Sequence, residues 1–475
     1  MRGPQQLVCG VTGAGGGCTD RGVTAFPPDW PAEARRLTAL AWPVALTSLN
    51  WTLMHLIDVA IVGRAGVAEL AALAASRSVT FVLIVMGLSA LVGILVFTAR
   101  ADGARDLRQT GGCLRVGLLY ALLLGMVLAA ILYLGGTALL AAAGVAPALV
   151  PGGGAVVRAM AVAMPAQLVL TALSYFLEGI SAPRRVTAVN LAMLPANAVL
   201  AWAWVGGHLG LPALGAVGAA HATAAVSVAG AIALLAATWT VRDAVPRGVR
   251  DLSAAAWGRA LRDVPQVARF GIVPALTSAL ELIGFAWLIV LSTRLGDVAA
   301  AGFQAMFSLH NLAFATALGF GSAAGVRVGN AVGAGMPEQA VPRTLIAVVL
   351  AAAAMGLMGA LFWLFRATIV PPLSAPDPAA IRMGIVLVAT LAPFMLCDGI
   401  QLVLVYALRS LGDQVAAGVN GVIAYFGVTG GLGWWLYAAG WGAPGLALAC
   451  GGGMVAAALL QAVRFGVVTR RAAGG

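Results

Sequence analysis

Long, uninterrupted apolar runs govern what this chain can become. A segment that crosses a bilayer needs about 20 mostly apolar residues. In hydrocarbon every backbone polar group must be satisfied internally, which leaves only helices and closed barrels. Runs of helical length recur near 38–62, 76–99, 115–142, 154–178, 186–206, 214–240, 270–293, 300–326, 342–366, 383–408, 415–438 and 445–466. The pattern predicts an all-α integral membrane protein with twelve spans. The chain is 61% hydrophobic and only 9% charged, whereas a soluble globular domain carries roughly 25% charged residues.

A net charge of +11 would suit a nucleic-acid partner if the cations formed one patch, but they recur at every second junction between spans. One side carries Arg35 and Arg36, then Arg100, Arg105 and Arg108, then Arg184 and Arg185, a cluster from Arg242 to Arg269, Arg343, Arg409, and Arg464, Arg470 and Arg471. The other side has Arg64, Arg294, Arg366 and Arg382. That alternation is the positive-inside pattern, so both termini are expected in the cytoplasm and no nucleic-acid partner is expected. Cys9, Cys18, Cys113, Cys397 and Cys450 show no CxxC pairing and no His-rich partner segment, so neither a zinc site nor a disulfide framework is indicated. The Gly-rich stretch from Cys9 to Gly22 lacks a signal-peptide core.

The chain repeats itself at an offset near 230 residues. Pro43, Leu46, Thr47 and Ser48 resemble Pro274, Leu276, Thr277 and Ser278; Arg64 and Gly66 resemble Arg294 and Gly296. Gly103 falls opposite Gly333, Asn190 opposite Asn420, and Pro212 opposite Pro444. Each copy holds six spans and so enters the membrane from the same side. The expected architecture is two six-helix lobes related by a pseudo-two-fold axis along the membrane normal. The expected divisions are a largely disordered cytoplasmic tail over 1–37, an N-lobe over 38–240, a basic connector over 241–268, a C-lobe over 269–466 and a second cytoplasmic tail over 467–475. Pro43, Pro165, Pro195, Pro274 and Pro393 lie inside spans, where a broken hydrogen bond is tolerated beside protein or a watery cavity.

Four carboxylates stand alone in the apolar segments: Asp58, Glu178, Glu281 and Asp398. A charge at the centre of a membrane helix costs roughly 2.5–3.5 kcal/mol on insertion scales, which makes such residues functional candidates. Glu281 lies twelve residues past Arg269 and Asp398 eleven before Arg409, so both sit roughly 17–18 Å into the membrane. Two carboxylates that meet at one depth in a poorly hydrated cavity repel each other, and a proton or a cation resolves that conflict. Thr277 and Ser278 precede Glu281 by four and three residues, and Gln401 follows Asp398 by three, so these polar groups can share the acids' faces. Asp58 should lie about 12 Å nearer the outer surface than Glu281. Thr47, Trp51 and His55 form a stripe with it that suits a cavity wall, and a cap against Arg64 is the alternative. Glu178, six residues before Arg184, suits an ion pair with Arg184 or Arg185.

The segment from Pro43 to Gly66, with Leu56-Ile57-Asp58-Val59-Ala60-Ile61-Val62-Gly63, resembles the multidrug and toxic compound extrusion (MATE) family. Gly325-Val-Arg327-Val-Gly329-Asn330-Ala-Val-Gly333-Ala-Gly335 is similar to the family's signature after its eighth span, with Gln304 in a matching earlier position. Leu177-Glu178-Gly179, Asn197 and the stretch from Gly210 to Gly218 continue the likeness, which covers about residues 38–466. Within the family, Glu178, Glu281 and the segment from Asp398 to Gln401 look most like the NorM branch. The resemblance implies a secondary active antiporter that exports bulky, amphipathic, often cationic drugs against an inward flow of sodium ions or protons. It makes Asp58 the first-lobe acid and Glu281 with Asp398 the coupling acids, able to hold Na+, with Asn190 and Asn197 as first-lobe polar positions. Phe394 departs from the branch, whose members can carry a tyrosine there as a cation ligand. Beyond a transported ion no cofactor is implied, and a monomer in a bacterial inner membrane suffices. A flippase for lipid-linked saccharides shares the wider superfamily fold, but several cavity arginines for pyrophosphate would be expected. An intramembrane enzyme would need a nucleophile with a base or a metal cluster, and no such set has usable spacing.

Overall fold

The computed structural model describes residues 29–374 and 377–473. Twelve helices among them are long and apolar enough to cross a membrane: α1 (Trp30–Ala65), α2 (Val67–Gly103), α3 (Leu107–Ala142), α4 (Pro147–Gly179), α5 (Pro183–Gly206), α6 (Gly215–Trp239), α7 (Ala254–Arg294), α8 (Asp297–Gly333), α9 (Pro337–Ile369), α10 (Pro378–Leu411), α11 (Gln414–Ala438) and α12 (Gly442–Arg471). The expected all-α fold with twelve spans is therefore present.

Three expected boundaries move. Residues 30–37, expected as tail, form the first turns of α1, where a proline starts the helix and Glu33 lies near the positive end of its dipole. Residues 1–28 of that expected tail lie outside the described residues. Positions 254–268 of the expected connector are helical and extend α7 out of the apolar zone, with Ser253 Oγ accepting from the Ala256 N–H at 3.3 Å. The remainder of the connector is pinned to the N-lobe, because Arg247 pairs with Asp102 at 2.7 Å and Arg115 donates to the Gly248 carbonyl at 2.6 Å. At the other end of the chain the last helix runs on to Ala473. Hydropathy marks where a helix is apolar, whereas capping and ion pairs decide where it ends.

Two large apolar clusters form the lobe cores. The first is built mainly from α1 to α6 but takes in Val267 and Ala275 of α7; the second is built mainly from α7 to α12 but takes in Val92, Leu95, Val96 and Ala99 of α2. Where α2 meets α8 the repeat becomes visible as geometry. A Cβ at Gly103 would collide with the backbone of Asn330, and a Cβ at Gly333 would collide with the backbone of Arg100. Positions 100 and 103 are the counterparts of 330 and 333, so the contact is reciprocal, as across a two-fold axis. Only glycine lets the two helix backbones approach this closely.

Several polar contacts between the lobes lie toward the end of the bundle where α1 begins and α12 ends. Glu33 of α1 holds Arg327 of α8 through two bonds of 2.6 Å. Arg100 of α2 donates twice to the Ser410 carbonyl of α10, at 3.1 and 2.8 Å, and Asn330 Nδ2 reaches the Ala99 carbonyl at 2.8 Å.

Candidate functional site

Local irregularity in two C-lobe helices sets the position of the acids. Pro393 interrupts α10 with a 3-10 turn at Ala392–Phe394, and the helix restarts at Met395 with Asp398 in its first turn. In α11 the stretch Val422–Gly430 is π-helical, a geometry common at functional sites. This stretch carries Tyr425, whose hydroxyl donates to Asp398 Oδ1 at 3.3 Å. Gln401 Nε2 donates to the same oxygen at 3.2 Å. Asp398 Oδ2 has no hydrogen-bond partner among the described residues, although Asp398 is only 2% exposed.

Glu281 stands beside this group. One turn before Tyr425, Gly421 leaves the space that Glu281 Oε1 occupies, since a Cβ there would collide with it. Glu281 thus meets α11 at Gly421 and Asp398 meets it at Tyr425, one turn further on, without a bond between the two acids. His310 of α8 is a further buried polar residue of the C-lobe. Its Nδ1 is unpartnered among the described residues, and Phe285, Phe307 and Phe314 surround it. Phe394, which lacks the hydroxyl some relatives supply, packs its ring on Gly451. Tyr425, from a different helix, brings a hydroxyl to the acid instead.

Two expected supporting residues do not join the cluster. Thr277 Oγ1 donates to the Pro274 carbonyl of its own helix at 3.1 Å. Gln304 is exposed, and only its backbone carbonyl is engaged, by Ser308.

In the N-lobe, Asp58 is buried and its oxygens are both engaged, Oδ1 by Asn197 Nδ2 at 2.7 Å and Oδ2 by Thr223 Oγ1 at 3.4 Å. Arg64 is exposed and takes part in none of the four salt bridges among the described residues, so the alternative of an end cap is not realised. Asn190 does not join Asp58. Its side chain donates to Val186, and its carbonyl accepts from Asn50 at 2.7 Å. His55 and Asp58 line a cavity of about 40 Å³ with Ser76, Arg77, Thr80 and Thr223. Room for a few waters at most fits a polar group better than a whole drug. Arg77 is a cation about 15 Å into α2 that sequence reasoning passed over. It breaks no periodicity, and the signal that would have found it is its place deep inside a run whose other residues are nearly all apolar or small.

Glu178 does not pair with Arg184 or Arg185. Ser322 of α8 donates to its Oε2 at 2.7 Å, a bond between lobes, while Arg185 turns to Ala237 and Thr240.

Twelve spans in two related lobes, with buried acids in each, fit a membrane transporter. The MatE family description matches residues 43–203 and again 274–434, and the chain belongs to that family. The two matched segments are related by the same offset that the internal repeat gave. The probable multidrug resistance protein NorM of Caulobacter vibrioides is 33% identical over 434 residues, covering 88% of each chain. That of Bradyrhizobium diazoefficiens is 30% identical, covering 92% and 93%, and the multidrug resistance protein PmpM of Pseudomonas aeruginosa is 28% identical, covering 93% and 92%. Among solved structures, the eukaryotic MATE transporter AtDTX14 superposes with a TM-score of 0.82 at 20% identity, covering 93% of this chain and 98% of that one. An outward-facing MATE transporter of the MOP superfamily superposes at 0.81, also at 20% identity, covering 92% and 97%. These two show the shared fold.

Proposed function

We propose that this chain is an antiporter of a bacterial inner membrane, with cytoplasmic termini, that exports amphipathic, often cationic organic compounds in exchange for protons or sodium ions. The carrying observation is the free Oδ2 of Asp398 beside Glu281. A buried carboxylate oxygen without a donor retains its full demand for positive charge, and an exchangeable cation meets that demand. Glu281, Asp398 and the Tyr425 hydroxyl are the groups that hold the ion, and Gln401 fixes the orientation of Asp398.

Ion and drug compete for the same negative charge. Entry of the ion lowers the affinity of the C-lobe for a cationic compound, and the coupling equals the difference in affinity between the two states of the transporter. Glu178, bonded across the lobe junction, positions the lobes rather than the cargo. The multidrug names of the bacterial relatives support the substrate class. A monomer contains both lobes and needs no second copy.

The test is dye efflux in inverted vesicles with a pH gradient or a sodium gradient imposed separately. Wild type accumulates dye under one gradient or both, and Glu281→Gln and Asp398→Asn each abolish the response. Gradient-driven accumulation that survives both substitutions removes the coupling assignment.

A further inference from the structure

At the end of the bundle where α1 begins and α12 ends, a cavity of about 480 Å³ is lined by Arg36 of α1, Arg184 and Arg185 of α5, and Arg327 of α8. That volume lies within the roughly 300–1,000 Å³ of small-molecule sites. The charges around it are not balanced. Arg327 is matched by Glu33, which also faces Arg343 at 4.0 Å. Arg185 is spent on the Ala237 carbonyl and on Thr240. Arg36 and Arg184 are exposed and take part in none of the four salt bridges among the described residues. The first turn of α5, a helix of 24 residues, borders the same space. Its unsatisfied N–H groups add partial positive charge.

We propose that this cavity binds an anionic phospholipid, with the phosphate held by Arg36 and Arg184 and with Arg327 behind them. A lipid is favoured over a soluble anion by what lies further along the same helices. Leu191, two turns beyond Arg184, is 51% exposed, and Trp42, one turn beyond the cavity-lining Ala39, is 48% exposed. These exposed apolar side chains give a headgroup in the cavity an apolar surface beside it for its acyl chains. Basic pockets between membrane helices favour anionic headgroups in this way. Arg36 and Arg184 belong to the N-lobe and Arg327 to the C-lobe. The bound phosphate therefore adds a second bridge beside the Glu33–Arg327 pair. This site is independent of the coupling ion and of the drug.

The experiment uses the full chain purified in neutral detergent. Phosphatidylglycerol, phosphatidylcholine, glycerol phosphate and inorganic phosphate are added separately, and bound lipid is read by native mass spectrometry and thermal midpoint. Phosphatidylglycerol binds and raises the midpoint by several degrees, whereas phosphatidylcholine and the two soluble phosphates do not. The double variant Arg36→Gln, Arg184→Gln binds phosphatidylglycerol at least about tenfold more weakly, with its lipid-free midpoint unchanged. Equal binding of both lipids, an equal response to a soluble phosphate, or a double variant that keeps the preference overturns the proposal. Should the variant fail to fold, a photoactivatable phosphatidylglycerol decides on wild type. Crosslinks within 36–40 and 181–185 support the site, and crosslinks confined to other segments overturn it.

Discussion

The two lobes share a backbone plan and differ in how they treat their buried acids. In the N-lobe, Asp58 has one donor on each oxygen, and both come from neighbouring helices of its own lobe. In the C-lobe, Asp398 receives both donors on Oδ1 and none on Oδ2. A carboxylate with a donor on each oxygen has much of its hydrogen-bonding demand met. One with a vacant, desolvated oxygen has a large unmet electrostatic demand. The two similar scaffolds thus leave their buried acids in different hydrogen-bonding states. The α2–α8 contact lies at the opposite extreme, because there the two copies still meet through equivalent glycines.

The sharpest way to break this comparison is to neutralise the acids one lobe at a time. Asp398→Asn should weaken coupling-ion affinity roughly 10- to 100-fold, the scale of a lost charge-assisted bond. Asp58→Asn should change it less than about threefold while lowering stability by about 1–3 kcal/mol. Ion-dependent dye efflux and thermal melting measure the two effects, and equal losses of coupling in both variants would erase the functional distinction between the lobes. The symmetric part predicts the opposite behaviour. Gly103→Ala and Gly333→Ala should each cost about 1–3 kcal/mol through overpacking, and by similar amounts. Melting midpoints that differ widely would show that the junction is not the reciprocal contact described.

A smaller effect isolates the hydroxyl from α11. Tyr425→Phe removes one bond to Asp398 and should weaken ion affinity by about 0.5–1.5 kcal/mol, roughly twofold to thirteenfold. Adding Phe394→Tyr should restore part of that loss if either helix can supply the group, which ion titrations of efflux will read. The least disruptive change is Glu178→Gln. Glutamine keeps an acceptor for Ser322, so stability should fall by less than about 1 kcal/mol, and the ion dependence of efflux should not move. A large shift in ion dependence would place Glu178 in the coupling machinery beside the C-lobe acids.

Much of this arrangement was legible from the residues themselves. Depth counted along a helix from flanking arginines placed Glu281 and Asp398 together, because helical rise is fixed and the positive-inside pattern supplies the reference plane. Pro393 announced the irregular backbone before Asp398. Gln401, three residues on, could be assigned to the same face by helical period alone. Tyr425 could not, because it reaches Asp398 from another helix through a π-helical stretch whose sequence has no distinguishing mark. Asn190 and Gln304 stand apart from the acids. Both are polar and sit in apolar segments, yet one bonds within its own helix and the other is exposed. The basic cavity escaped notice because its arginines lie about 290 residues apart in the chain at most, Arg36 to Arg327, and each taken singly is an ordinary topological arginine.

The amino-acid sequence alone determined the twelve spans and their division into two copies. Those properties depend on quantities that are local or periodic: hydropathy over a window, rise per residue and charge at junctions. Tertiary packing decided which oxygen of Asp398 stays unpartnered, which lobe Glu178 bonds to and which arginines share a cavity. Such choices depend on the relative rotation of helices far apart in the chain, and rotation is set by the packing of small residues where backbones touch.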